Sequence, residues 1–249
     1  MSREHAVLGI DIGGSSIKCC ILNPQGIVRH ATLQYTNGKD PDAVLKMATE
    51  IVESWGHVGP IGIGFPGLVS GNRIVDAPNM GKGWDGHEFV NRLNQIVDVL
   101  VAIINDADAA ALAMARETKG WETENILCLT LGTGIGSAWL KQGVLEAGTE
   151  YGRMVHPQLD CSLEQWASVR TLNDEALSIE EWTERLATVL EFLQEQFSPD
   201  RFVLSGGITT SSKEWIETLQ QRMNIPVEIS KYGDLTGAVG AKNSIQCKK

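Results

Sequence analysis

The sequence predicts an α/β fold of two facing domains, and three observations carry that prediction. A strand–glycine turn–strand unit occurs twice, roughly half a chain apart: AVLGIDI and IKCCIL flank Gly13-Gly14, then NILCLTL and GSAWLKQG flank GTGIG. Both copies lie among alternating strand-like and helix-like segments. The run VDVLVAII is apolar but for Asp98, as a strand buried on both faces requires, and it stops at Asn105-Asp106.

The elements between follow from periodicity and turn chemistry. GIVRHATLQY reads as a third strand after the first hairpin. Val44, Leu45, Ala48, Ile51 and Val52 recur at helical spacing between Pro41 and Trp55. GPIGIGF returns to strand, LVSGNRIV reads as one further strand, and HEFVNRLNQI as a short helix. The alanine-rich ADAAALAMARE begins a helix directly after Asn105-Asp106. In the second half, Ile179 to Phe197 is the longest helix candidate. The strand RFVLS, a turn at Gly206-Gly207, the helix SSKEWIETLQQRM, the strand PVEIS and a last helix LTGAVGAKNSI complete the chain.

Composition narrows the class. The chain has 249 residues, 43% hydrophobic and 21% charged, enough for one large domain or two compact ones. A formal charge of −10 argues against non-specific binding to nucleic acid or to an acidic membrane. The five cysteines (Cys19, Cys20, Cys128, Cys161, Cys247) have no CxxC spacing. Cys19, Cys20 and Cys128 sit in strand-like runs and read as small buried hydrophobes of a reducing compartment. No run approaches the roughly 20 apolar residues of a membrane span. The start, MSREHAVLG, carries no apolar leader, so a cytoplasmic protein is expected.

The chemistry concentrates at the glycine turns. In GIDIGGSSIK, Gly13 and Gly14 either make an ordinary hairpin or present backbone N–H groups to phosphate. Ser15, Ser16 and Lys18 would add donors, and Asp11 would orient water around a bound Mg²⁺. The second turn offers Gly132, Thr133 and Gly134, and two such turns favour the phosphate reading. Gly206-Gly207 either admits a nucleotide base or ribose or is a plain strand–helix loop. GIGFPG satisfies GxGxxG, but no helix follows to receive a pyrophosphate, so it is not a dinucleotide fingerprint. Asp106, ending a buried strand, can accept a proton from an alcohol; the ordinary reading is a helix cap supplied by Asp106 or Asp108. Glu150 and Glu164 are candidate acceptors for sugar hydroxyls, and Asn79 is a turn residue until given a context. His57, His87 and His156 form no metal-binding spacing.

These segments together resemble the ROK family of sugar kinases, most closely its polyphosphate-glucokinase branch. DIGGSSIK and LTLGTGIGSA resemble its two phosphate motifs, GIGFPGLV its interdomain segment and NDADAAALA its catalytic segment. TEYGRM resembles the sugar-binding segment and LEQWAS the Leu-Glu-x-x-Ala-Ser stretch, with LSGGI and TGAVGA near the end. The resemblance implies an actin-like ATPase fold of two ribonuclease-H-like domains, with the active site in the cleft between them. The first would be 1–105, completed by a C-terminal helix at about 234–249, and the second 106–233. It implies phosphoryl transfer from polyphosphate or ATP, with Mg²⁺, to the 6-hydroxyl of a glucose-like hexose. Asp106 matches the catalytic base. Asn79, Asn105, Glu150 and Glu164 match the sugar-binding residues, and the glycine turns match the donor site. The expected partners are the sugar and the phosphate donor, with no nucleic acid and no membrane, in a homodimer.

Two departures stand out. Many family members carry a histidine where this chain has Arg153, which brings a permanent charge and a rigid fork of donors. Arg153 either pairs with Glu150 or Glu164 or favours an anionic acceptor. The family's zinc cysteines are also missing, with Cys161 alone near their place, so no structural zinc is expected. The alternative to a kinase is a catalytically weak sugar sensor on the same scaffold. A DNA-binding repressor is disfavoured, because the first phosphate motif begins within a dozen residues of Met1. An actin-like ATPase without a sugar is a third reading.

Overall fold

The structure is a computed structural model and describes residues 6–36, 38–78, 80–115, 121–211 and 214–248. Contacts divide the chain into two units, one running to Ala113 and resuming at Gly237, the other spanning Met114–Thr236.

The first unit opens with an antiparallel meander, β1 (Val7–Ile12), β2 (Ser16–Asn23) and β3 (Gly26–Gln34). Helix α1 (Pro41–Trp55) follows, then β4 (Ile61–Phe65), a hairpin of β5 (Leu68–Ser70) and β6 (Arg73–Asp76), helix α2 (Phe89–Val97), β7 (Val101–Asn105) and α3 (Asp106–Ala115). The sheet order is β3-β2-β1-β4-β7, with β4 parallel to β1 and β7 parallel to β4. Alternation decides the two faces. Leu8, Ile10 and Ile12 join Ile61, Ile63 and Phe65 in a fully buried core with α1 and α2. Helix α1 starts where Asp40 accepts the N–H groups of Asp42 and Ala43, with Pro41 at its first position, and stops at left-handed Gly56.

The second unit repeats the sheet plan. It contains β8 (Asn125–Leu131), β9 (Ile135–Lys141), β10 (Val144–Glu146), α4 (Leu163–Ala167), α5 (Val169–Asp174), α6 (Ile179–Phe197), β11 (Arg201–Ser205), α7 (Glu214–Arg222) and β12 (Val227–Ile229). Its order, β10-β9-β8-β11-β12, is again an antiparallel meander followed by two parallel strands. Helix α6 begins at a reciprocal cap between Ser178 and Glu181. It buries Trp182, Leu186, Leu190 and Leu193 against the sheet and α7, with Trp182 edge-on to Trp215 at 5.2 Å.

The chain then returns to the first unit through α8 (Thr236–Ala241) and a 3₁₀ segment, Lys242–Lys248. The back face of the first sheet is built to receive it. A Cβ at Gly9 would lie 1.9 Å from the Ala238 carbonyl oxygen, and one at Gly62 would lie 2.1 Å from that of Ala241. Backbone therefore packs on backbone, which only glycine permits.

Three elements differ from the expectation. LVSGNRIV is a hairpin and not one strand, because Gly71 turns the chain with φ 62°. VDVLVAII enters the sheet only at Val101, because Val97 ends α2 and Asp98 closes it in the left-handed region. The last helix is broken into a 3₁₀ turn at Gly233–Leu235, α8 and the closing 3₁₀ segment. Among the described residues, no helix is long and apolar enough to cross a membrane.

Candidate active site

The first glycine turn joins β1 to β2 and closes with Gly13 N–H donating to the Ser16 carbonyl at 2.9 Å. Neither Gly13 nor Gly14 takes a positive φ, so left-handed backbone is not why glycine stands there. Two outside donors hold the turn: Tyr35 Oη on the Gly13 carbonyl at 2.6 Å and Lys39 Nζ on that of Gly14 at 2.9 Å. Asp11 and Lys18 face each other across the β1–β2 pair, so their side chains project from the same face. Burial, then the Asp11 carboxylate, raise the Tyr35 hydroxyl well above its ordinary range.

Asp106 comes to the same place through Gly64, which pairs with Asp11 in the β1–β4 register. A Cβ at Gly64 would lie 3.5 Å from Asp11 Oδ1 and 3.6 Å from the Asp106 Cα. The cap of α3 is Asn105, not Asp106 or Asp108. Its Oδ1 accepts the N–H groups of Ala107 and Asp108 at 2.9 and 3.1 Å, and its Nδ2 donates to the Gly67 carbonyl at 3.0 Å. Asn105 is the last residue of β7, so its side chain meets the first exposed N–H groups of the helix. Asp106 Oδ1 also accepts from Ala107 N–H at 2.8 Å, which fixes its rotamer. The first unit thus gathers Asp11, Gly13, Gly14, Ser15, Ser16, Lys18, Asn105 and Asp106 at the carboxyl ends of β1, β4 and β7, where open α/β sheets bind ligands. Asn79 lies outside the described residues.

The second unit gathers the rest around the β8–β9 turn. Gly132 N–H donates to the Gly134 carbonyl at 3.1 Å, and the Gly132 carbonyl accepts from Val169 N–H at 2.9 Å. A Cβ at Gly132 would meet nothing within 4 Å, and the same holds at Gly207; neither has a left-handed φ. The chain's own packing does not demand glycine at either place, and bare backbone there faces open space beside Thr133 and Gly206. Gly206 is different: with φ 118° it backs onto the Leu131 carbonyl, 2.1 Å from where a Cβ would lie.

Glu150, Arg153 and Glu164 join this group through β9. Tyr151 N–H donates to Ser137 Oγ at 2.9 Å, and Gly152 sits so close to the Ile135 carbonyl that a Cβ would lie 2.0 Å away. The 3₁₀ turn Tyr151–Arg153 is thereby pinned to the strand. Glu164 Oε2 accepts from Ile135 N–H at 3.4 Å, beside the exit of the glycine turn. Arg153 pairs with Glu150 at 3.3 Å, the first of the two partners expected for it. Tyr35 and Lys39 are the site residues that sequence reasoning missed. They lie 22 and 25 positions beyond the glycines they hold, and no motif marks them.

A sequence model of the ROK family matches residues 7–173. The chain belongs to the ROK family. It is 33% identical over 245 residues to the polyphosphate glucokinase of Mycobacterium tuberculosis (strain CDC 1551 / Oshkosh), covering 96% of this chain and 91% of that one. Among solved structures, this ROK protein is similar to the inorganic polyphosphate/ATP-glucomannokinase from Arthrobacter sp. strain KM. That match has a TM-score of 0.90 and 28% identity, over 99% of this chain and 100% of the other. A ROK glucokinase from Streptomyces griseus, solved with glucose and AMPPNP, superposes with a TM-score of 0.84 at 22% identity, over 97% and 99% of the two chains. The fold of this ROK protein is the actin-like ATPase fold.

Proposed function

We propose that this ROK protein is a hexose kinase that transfers a phosphoryl group from polyphosphate or ATP to the 6-hydroxyl of glucose, with Asp106 as general base. The observation that carries the reading is the convergence on Gly64. The Asp11 carboxylate at the first glycine turn and the backbone of Asp106 at the start of α3 meet over one residue without a side chain. Phosphoryl transfer asks for that pairing: a positioned donor and one base for the attacking hydroxyl. The names of the Mycobacterium and Arthrobacter relatives support the acceptor and both donors.

The Mg²⁺ that such donors carry fits the residues present. Among the described residues no group of three or more His, Cys, Asp or Glu is arranged to hold a metal. Asp11 instead offers a single carboxylate over a space kept by Gly237, where a Cβ would stand 2.6 Å from its Oδ2. One carboxylate with water and phosphate oxygens is an ordinary Mg²⁺ environment, and the ion would neutralise charge on the donor. The rest falls to the chain. The turn at Gly13–Ser16 and Lys18 bind donor phosphate, and Gly132–Gly134 supplies a second backbone cradle. Glu150 and Glu164 accept hydrogen bonds from sugar hydroxyls. Asp106 takes the proton of the 6-hydroxyl as the hydroxyl oxygen bonds to the terminal phosphorus, and the bond from that phosphorus to its bridging oxygen breaks, releasing ADP or the shortened polyphosphate.

The test is transfer to a panel of neutral and anionic sugars, with ATP and polyphosphate as alternative donors. Glucose is expected to be phosphorylated, and Asp106→Asn to lower kcat by about 10²–10⁴-fold. The variant should keep its melting temperature, since Asn105 caps α3. Activity of Asp106→Asn near wild type would remove the base assignment. No transfer by the folded wild type would favour the sugar sensor, for which the Arg153–Glu150 pair is the structural motive.

A further inference from the structure

The two donors on the first glycine turn do more than close it. In a trans peptide the carbonyl and the following N–H point to opposite sides of the chain. Holding the Gly13 oxygen therefore aims the Gly14 N–H away from Tyr35, and holding the Gly14 oxygen aims the Ser15 N–H away from Lys39. Tyr35 and Lys39 both come from the connection between β3 and α1. Consecutive N–H groups turned to one side make an anion-binding concavity.

Both holders are themselves held, Tyr35 by packing against the core of the first unit. The Lys39 carbonyl accepts from Trp84 Nε1 at 2.8 Å. Trp84 is fully buried, with its ring 4.7 Å from that of Phe65 and 5.5 Å from that of Phe89. The next residue, Asp40, caps α1, and Pro41 packs against Gly83. The Lys39 ammonium thus extends from a segment anchored in the core, and burial with the neighbouring Asp11 keeps the Tyr35 hydroxyl a donor. The same segment links the phosphate turn to the loop that leads into Trp84.

We propose that Tyr35 and Lys39 are positioning residues of the donor site, fixing the peptide planes of Gly13 and Gly14 so that their N–H ends face the phosphate. The inference rests on reading this turn as the donor cradle. It applies equally to ATP and polyphosphate, because both present phosphate oxygens.

Calorimetric titration of the full chain with AMPPNP, tripolyphosphate (each with Mg²⁺) and glucose tests it, alongside donor and sugar KM values. Lys39→Met is expected to weaken both phosphate ligands about tenfold, as loss of a charge-assisted hydrogen bond implies. Tyr35→Phe, which lacks one oxygen and preserves the ring, should weaken them severalfold. Lys39→Arg should recover most of the affinity, and glucose binding should stay at its wild-type value throughout. Unchanged phosphate affinity in Tyr35→Phe and Lys39→Met would overturn the inference. So would equal weakening for glucose, which would mean a general loosening of the unit. Wild type that binds glucose but neither phosphate ligand would instead overturn the donor reading of the turn, and the inference with it.

Discussion

Arg153 and Glu150 meet across a single 3₁₀ turn, with 42% and 40% of their side chains exposed. A pair in that setting contributes at most about 1 kcal/mol, so a sugar hydroxyl competing for Glu150 faces a small barrier. Replacing the fork by imidazole releases the carboxylate from a permanent cation. Arg153→His is therefore expected to lower the glucose KM severalfold with little change in kcat; identical constants would show that Arg153 does not touch the acceptor. At this scale the sequence was informative where chemistry and position coincide. Asn105-Asp106 announced itself as a polar pair ending an apolar strand. Which of its members caps the helix depends on where the strand ends, and a one-residue difference moved the cap from Asp106 to Asn105. Tyr35 and Lys39 were illegible for another reason: their partners are backbone carbonyls, which carry no residue identity.

Among the elements, α3 and α8 show what composition meant. The alanine-rich helix reads in sequence as a good helix former, but not why Ala109–Ala111 carry no large side chain. Its Ala109 carbonyl lies against Gly240 of α8, where a Cβ would stand 1.7 Å away. Gly240→Ala is accordingly expected to destabilise the protein by about 1–3 kcal/mol or more through overpacking, read as a lower melting temperature. Gly132 is the contrasting case, since a Cβ there meets no atom within 4 Å. Gly132→Ala should leave the melting temperature in place and raise the donor KM. If it melted early while binding donor normally, the glycine would serve the fold and not the ligand. In sequence the two glycines look alike; only the surroundings separate the one that admits a helix from the one that faces open space.

Across the whole molecule, the doubled strand–glycine turn–strand unit was the most legible feature, and it corresponds to two sheets of the same order. The return of the chain to its first unit was not written in periodicity, because α8 is too short to show a stripe. Buried thiols are shared by both units. Burial, opposed by a hydrogen bond to Ala31 in the case of Cys19, raises Cys19 to about 11 and Cys20 to about 12, and it raises Cys128 as well. The unfolded chain loses these protons near pH 8.5–9 while the folded chain keeps them, so stability falls as pH rises from about 9 towards 11. The urea midpoint at pH 10.5 is expected to lie below that at pH 8. A Cys19→Ala/Cys20→Ala variant should show a shallower decline; an unaltered slope would assign the effect to other groups.

The glycine-lined face of the first sheet also sets a schedule. Gly9 and Gly62 leave the ribosome early, yet the backbone that covers them, from Gly237 onward, is translated only after the whole of 114–236. At roughly 5–20 residues per second that is a wait of some ten seconds. During it the nascent first sheet has its α1 and α2 side available but its back face bare, and the Asp11 carboxylate has no Gly237 beside it. Completion of the surroundings of Asp11 is thus deferred until synthesis of the second unit is complete, and a ribosome stalled before Gly237 would hold a sheet with one face still uncovered.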